Sequence, residues 1–479
     1  MANSTPTGID WRRAAQGAAA VLAAAVLGLT GAAQSTAEED TSEADPPGRV
    51  GRLSLLVGTA ALTDIGSGQT WAVIVNWPIT GEQNFATDAG SRAEIRIGSL
   101  AVRVDGDSEV DFVRIDDQTI ELVVQRGAVE LHARNRDTLA EIDLTTPRER
   151  IVLDEVGRYR LDVDRVAGLT SLTAASGYAR ILTGEATFPV SGGQRAEVSG
   201  EPVPRVQMAS RLADAFDDWV APLDRRDDAL RSVRYVSSET TGVESLDEFG
   251  QWRTVADYGQ IWFPATVQAG WVPYRFGRWV WVAPWGWTWV DEAPWGFAPF
   301  HYGRWVLLNG RWGWVPGQYV ARPIYAPCLV VWHGSAAESG MVGWSPLGPA
   351  DIYVPGYRAS PHYVQSVNLQ SLGRGSGAAA QSDALDAKPH YTYQHNPAAV
   401  TWVHRDTMQL ARPVGRTLQP PPAHWISVPV THLAPVAAPP SPIAAPAGAQ
   451  LGQAGRSTDR PGVSPAHAVA AEPSRPAPR

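Results

Sequence analysis

Tyr302-Gly303-Arg304-Trp305-Val306-Leu307-Leu308-Asn309-Gly310-Arg311-Trp312-Gly313-Trp314 reads as one complete β-hairpin. Asn-Gly is the strongest two-residue hairpin signal, because both central residues of its turn take positive φ. With Asn309-Gly310 at the turn, Leu308 faces Arg311, Leu307 faces Trp312, Val306 faces Gly313 and Trp305 faces Trp314. The period of two then puts Trp305, Leu307, Trp312 and Trp314 on one face. Val306 and Gly313, with Arg304 and Arg311 beside them, take the other.

The opening aromatic-Gly-x-Trp unit recurs upstream. Its copies are Phe249-Gly250-Gln251-Trp252, Phe276-Gly277-Arg278-Trp279 and Tyr302-Gly303-Arg304-Trp305, whose starts are 27 and 26 residues apart. A period of this length points to stacked supersecondary units. The second copy predicts a hairpin from Arg278 to Val290 with its turn near Ala283-Pro284. Trp279 and Trp281 then share one strand face, and Trp285, Trp287 and Trp289 share another. Fourteen of the 20 tryptophans fall between Trp252 and Trp344, so this segment decides what the chain can bury or bind. Glycine beside tryptophan leaves room for a neighbouring ring.

Two uses of the rings are open. They can fill a thin core, or they can form an exposed platform for glycan, peptidoglycan or a proline-rich peptide. The candidate platform residues are Trp279, Trp287, Trp305, Trp314, Arg278, Arg304 and His301. Arg278 and Arg304 are placed to stack on rings of an adjacent unit, worth about 0.5–2 kcal/mol each.

The 479 residues allow about two to four domains. A net charge of -9 gives no basic footprint for nucleic acid. The basic residues are almost all arginine, with Lys388 the lysine, which removes a phosphate loop or a Schiff-base lysine from consideration. One cysteine, Cys328, excludes an internal disulfide framework, and its apolar neighbours read as a buried strand.

Near the N-terminus, Arg12-Arg13 precede an alanine-rich run from Ala14 to Ala33, followed by small residues and Glu38-Glu39-Asp40. That order is the pattern of a secretory signal, expected to span 1–37, with an acidic linker at 38–49. The expected location is the periplasm or cell envelope. An uncleaved segment would instead act as a membrane anchor.

From Arg52 to about Val198, short alternating runs are separated by Gly, Asp and Asn. Ala93-Glu94-Ile95-Arg96-Ile97 alternates as a strand with one wet face. The spacing predicts an all-β sandwich, roll or barrel without helical interruption. Val50-Gly51-Arg52-Leu53-Ser54, Thr87-Asp88-Ala89-Gly90-Ser91-Arg92-Ala93-Glu94, Gln125-Arg126-Gly127-Ala128-Val129, and Thr146-Pro147 with Gly157-Arg158-Tyr159-Arg160 together resemble a FecR-type domain over 50–200. That resemblance implies a periplasmic β domain of bacterial envelope proteins. In signal transducers of that type a cytoplasmic anti-sigma region comes first, and 13 residues before the apolar run cannot fold as one.

The segment 236–415, through Trp295-Gly296-Phe297-Ala298-Pro299-Phe300-His301-Tyr302 and Val342-Gly343-Trp344-Ser345-Pro346, is similar to an uncharacterised Trp-rich family of proteobacterial envelope proteins. The resemblance implies domain order and location, and no activity.

Between the two, Leu212, Phe216, Trp219 and Val220 recur at helical spacing, with Pro222 breaking the run before Asp224 to Val233 resumes it. A helical connector is expected over 205–235. The last 67 residues hold 15 of the 38 prolines, so 416–479 reads as a disordered Pro/Ala-rich tail.

Chemistry-bearing residues form no recognisable catalytic motif. The ten histidines are scattered and lack metal-ligand spacing with a nearby acid. His333-Gly334-Ser335 lacks a nucleophile elbow. Asp291 and Glu292 read as a solvated turn, and a glycosidase pair there would need a carboxylate separation of about 5 Å. The fold expected is mainly β: a FecR-like sandwich or roll, a short helical connector, a Trp-rich hairpin-repeat module and the tail. The function expected is a non-enzymatic envelope interaction or scaffolding protein, without cofactor or metal, contacting glycan or protein. The alternative is a FecR-type signalling component contacting an outer-membrane receptor or a membrane partner.

Overall fold

The strand Ile120–Ala133 passes from one β-sheet into another, and this organises the N-terminal half of the chain. The structure is a computed structural model that describes residues 45–184, 186–200, 203–211, 213–334, 340–369 and 390–439. The expected signal segment 1–37, Leu212 and the tail beyond Pro439 lie outside those residues. Among the described residues no helix is long and apolar enough to cross a membrane.

Residues 120–126 of the long strand pair with Glu109–Ile115 and, in parallel, with Ile142–Thr145. Residues 127–133 pair with Leu100–Val104 and Gly157–Asp164 in the second sheet. Gly127, at the bend, has a φ of 87°, and a Cβ there would strike Ser108. Glycine is the residue for such a corner. Leu122, Val124, Val129 and Leu131 point from its two halves into the core between the sheets. Among the described residues the domain counts seventeen strands between Gly51 and Ala209, the long one included, interrupted by the helical turn Arg136–Leu139.

The connector is half strand and half helix. Arg205–Ala209 adds an edge strand against Arg195–Ser199. The helix Ala215–Asp228 follows, with Asp214 and Asp217 forming a capping box. It runs through Pro222 without breaking, a correction to the expected interruption. Phe216, Val220, Asp224 and Asp227 recur along one face of it, directed at the β domain.

The strand Arg92–Ile97 does not have a wet face. Glu94 and Arg96 are both fully buried, because the connector helix covers the charged side of this sheet. Arg96 Nη2 donates to Glu94 at 2.9 Å and to Asp227 at 2.6 Å; Arg103 donates to Glu94, Glu130, Asp224 and Asp227 at 2.6–3.0 Å. Burial alone raises the carboxyl of Glu94, but Arg96, Arg226 and Arg103 outweigh it and hold it far below the usual range.

In the Trp-rich module the hairpin Arg304–Leu308/Arg311–Val315 has the predicted register, Trp305 opposite Trp314 and Leu307 opposite Trp312. Gly277–Val282/Gly286–Asp291 pairs Trp279 with Trp289 and Trp281 with Trp287. Trp285 lies in its turn rather than on the strand. Gly250–Val255/Gly259–Pro264 pairs Trp252 with Trp262, and Val330–His333/Met341–Pro346 pairs Trp332 with Trp344. The hairpins do not stack in sequence order. The first bridges to the third through Trp262 and Trp314, while the second stays a separate two-stranded sheet. The supposed outer face of the third hairpin is covered as well, since Val306 and Val315 pack on Ile261 and Phe263.

Residues 416–439, expected in the disordered tail, are ordered. Val430–Thr431 pairs with Val330–His333, and the carbonyl of Val436 accepts the indole N–H of Trp287 at 2.8 Å. Likewise residues 45–49 are not a free linker: Asp45 accepts from the amide and hydroxyl of Ser360 at 2.6 Å, and Arg49 pairs with Glu141.

Candidate functional site

Six of the seven candidate platform residues are core. Trp279, Trp305 and Trp314 are at most 1% exposed, and Trp287, Arg304 and His301 are buried too. Arg278 is half-buried. The rings pack edge to face on one another, for example Trp279 on Trp344 at 5.3 Å and 85°, the geometry their quadrupoles favour. Trp279, Trp287, Trp305 and Trp314 are thus spent on packing, which corrects the platform expectation at those positions.

Arg304 is spent on hydrogen bonds within the core. Arg304 donates to the carbonyls of Gly303 and Asp351 and to the Asn368 side chain at 2.8–3.2 Å, and burial lowers its guanidinium to about 10. Among the described residues cation–π contacts fall to Arg52, Arg92, Arg160, Arg253 and Arg311. His301 is wedged beside Phe297 and Tyr325, with Nδ1 2.8 Å from the Ala326 carbonyl. Burial drops it to about 3, so it stays neutral and structural.

Asp291 is not a solvated turn residue. It is buried, its oxygens accepting from the Trp289 indole and the Ala293 amide at 2.9 Å, and burial raises it to about 8. Its neighbour Glu292 is exposed. Both carboxylate oxygens of Asp291 therefore serve the hairpin. His333 donates to or accepts from Ser345 at 3.0 Å, while Ser335 lies outside the described residues. Burial pushes the Cys328 thiol up, consistent with a packed apolar side chain.

One titratable cluster emerges that local spacing does not reveal. His132, Asp224 and Asp227 converge, with Nδ1 of His132 3.1 and 3.5 Å from the two carboxylates. Asp224 and Asp227 sit three apart on the connector helix, so they share a face. Arg96 and Arg103 already bond these carboxylates. The cluster thus reads as the ionic lock between helix and sheet.

The open site lies elsewhere, in a groove of about 800 Å³ where the β domain meets the tip of the second hairpin. Trp281 is 39% exposed, unlike Trp279 on the same strand, because it stands at the hairpin tip beyond the packed core. Its ring lies over Gly286 and meets Trp287 edge-on at 5.5 Å. Opposite it, the β domain supplies Trp71 and Trp77, both half-buried. Carboxylates of Asp64, Glu82, Asp116 and Glu121 line the same space, against one guanidinium, that of Arg114, which is paired with Asp116. Ser67 donates its amide and hydroxyl to Asp64 at 2.6 Å and keeps that carboxyl below its usual range.

The groove walls are held in register by buried polar bonds between the two halves of the chain. Arg52 donates to Glu244 at 2.7 Å, to Ser245 at 2.9 Å and to the Pro294 carbonyl. Asn76, one residue before Trp77, receives the Arg52 Nε–H and donates to the carbonyls of Asp291 and Ala293 at 2.9 and 2.7 Å. Such arginine contacts are geometrically specific, so Trp77 and Trp281 are fixed relative to one another.

Residues 243–351 match a family of unknown function (DUF6600). The hairpins and the rim residues Trp281 and Trp285 fall within that match. No curated protein matches the chain. Two crystal structures of a candidate anti-sigma factor from Parabacteroides distasonis ATCC 8503 are similar at 8% identity, with TM-scores of 0.25 and 0.24. Each similarity covers 29% of this chain and 63% or 64% of the other, so under two thirds of that protein is spanned.

Proposed function

We propose that this protein is an exported, non-enzymatic component of the cell envelope, and that it binds an extended ligand, glycan or protein, in the groove between the β domain and the DUF6600 segment. The carrying observation is that Trp281, Trp71 and Trp77 converge on one open groove while the remaining rings of the hairpin module are largely spent on packing. Flat rings at a groove wall bind sugar faces or prolines, and carboxylates between them accept hydrogen bonds from hydroxyls or cations. The apolar N-terminal run after Arg12-Arg13 and the resemblance of 50–200 to FecR-type domains support export.

The test is co-sedimentation of the purified protein with peptidoglycan and capture from envelope extracts, wild type beside Trp281→Ala. Saturable binding that weakens at least tenfold in Trp281→Ala supports the reading. Absence of saturable binding, or binding indifferent to the substitution, sinks it.

A further inference from the structure

The described chain ends next to the groove. Val436, Ala437 and Ala438 line a cavity of about 250 Å³ whose wall includes Trp281 and Trp285, and those two rings also line the groove. The sequence continues beyond Pro439 and includes Pro473-Ser474-Arg475-Pro476-Ala477-Pro478-Arg479. This heptapeptide combines three prolines with two arginines and has no acid side chain. The groove combines three accessible indoles with four carboxylates, of which Glu82 is exposed. The two surfaces are complementary in both respects.

We infer that Pro473–Arg479 is a ligand of this groove in the same molecule, and so competes with the external ligand. The inference rests on the groove being a binding surface, as proposed above. Proline-rich segments dock on aromatic-lined grooves as extended threefold helices, with prolines three apart on one edge. Pro473 and Pro476 have that spacing and meet the rings. Arg475 lies on a different edge and meets the carboxylates, while Arg479 follows on the proline edge, where arginine stacks on indole faces. Reach is not limiting: 33 residues connect Pro439 to Pro473, a maximum span of roughly 110 Å. Tethering further raises the effective concentration to on the order of millimolar, so a weak intrinsic affinity suffices.

The experiment uses the full chain, exported or refolded, with Ala477→Cys carrying a spin label. Cys328 is buried and does not compete for the label. The indole N–H resonance of Trp281, assigned by its loss in Trp281→Phe, should broaden in the labelled protein and recover in labelled Arg475→Glu/Arg479→Glu. That double variant, unlabelled, should bind the envelope fraction at least threefold more tightly than wild type. If Trp281 does not broaden, the inference is overturned, and envelope binding that still depends on Trp281 leaves the proposed function standing. Broadening of Trp281 in copies that carry no spin label, when these are mixed with spin-labelled copies, also overturns it, since docking is then between molecules. Absence of envelope binding in wild type, Trp281→Ala and the arginine double variant alike overturns both readings.

Discussion

Gly277 lies against the ring of Trp289 on the paired strand, so close that a Cβ on Gly277 would fall 2.5 Å from the indole. The other two copies of the repeat do the same, Gly250 under Trp262 and Gly303 beside Trp314. The glycine of the aromatic-Gly-x-Trp unit is therefore a seat for the tryptophan of the returning strand. Gly277→Ala should destabilise the protein by about 1–3 kcal/mol through overpacking. Gly310→Ala has open space around it and tests only the cost of a φ of 75° at a turn. Urea unfolding midpoints of the two variants should show the larger loss at Gly277; equal losses would contradict a packing role.

The ionic lock predicts an asymmetry between buried and exposed pairs. Asp227 accepts from Arg96 and Arg103, all three side chains fully buried. Asp227→Ala leaves two buried guanidinium groups short of a partner, a loss of about 3–5 kcal/mol. Arg126→Ala breaks a half-exposed pair with Glu109 and should cost less than about 1 kcal/mol. Denaturant titration distinguishes them, and comparable losses would show that the lock contributes little.

Stability should fall as pH rises from about 5 to 8. Burial raises Asp291 to about 8 and Glu130 to about 7, and His132 is raised by Asp224 and Asp227 despite its burial. Each binds a proton more tightly folded than unfolded. Their stabilisation is therefore full below the unfolded pKa and lost as pH passes the folded one. Melting temperature should decline across this window, and Asp291→Asn should flatten the part between pH 6 and 8. A melting temperature that rises over pH 5–8 would contradict the assignment.

Two tryptophans on one strand face should respond differently to truncation. Trp279→Ala opens a cavity in the ring cluster and costs about 3–5 kcal/mol. Trp281→Ala removes a ring that is 39% exposed and packs on Trp287 at the hairpin tip, so it should cost clearly less, about 1–2 kcal/mol. Thermal unfolding of both variants checks the contrast.

How far the sequence carries is visible in these same residues. The register of the third hairpin follows from Asn309-Gly310 alone, because that turn geometry is local. The mainly β class follows from short alternating runs in the same way. The wet face expected for Arg92–Ile97 failed for a tertiary reason: a helix more than 100 residues later supplies Asp227 and covers it. Pro222 stays within that helix, since Phe216 under the Arg160 guanidinium anchors the turns before it, and Asp224 and Asp227, bonded to Arg103 and Arg96, anchor the turn after it. The groove was illegible because its walls, Trp71 and Trp281, are 210 residues apart. One signal did exist: Trp281 precedes the Ala283-Pro284 turn, and rings next to a hairpin tip run out of core to enter.

The most direct test of the account is the affinity of envelope material for wild type against Trp281→Ala, measured on proteins of matched melting temperature. The account predicts saturable binding to wild type and at least a tenfold loss in the variant. Unchanged affinity in Trp281→Ala, with binding lost instead in a folded variant remote from the groove such as Arg126→Ala, would contradict it.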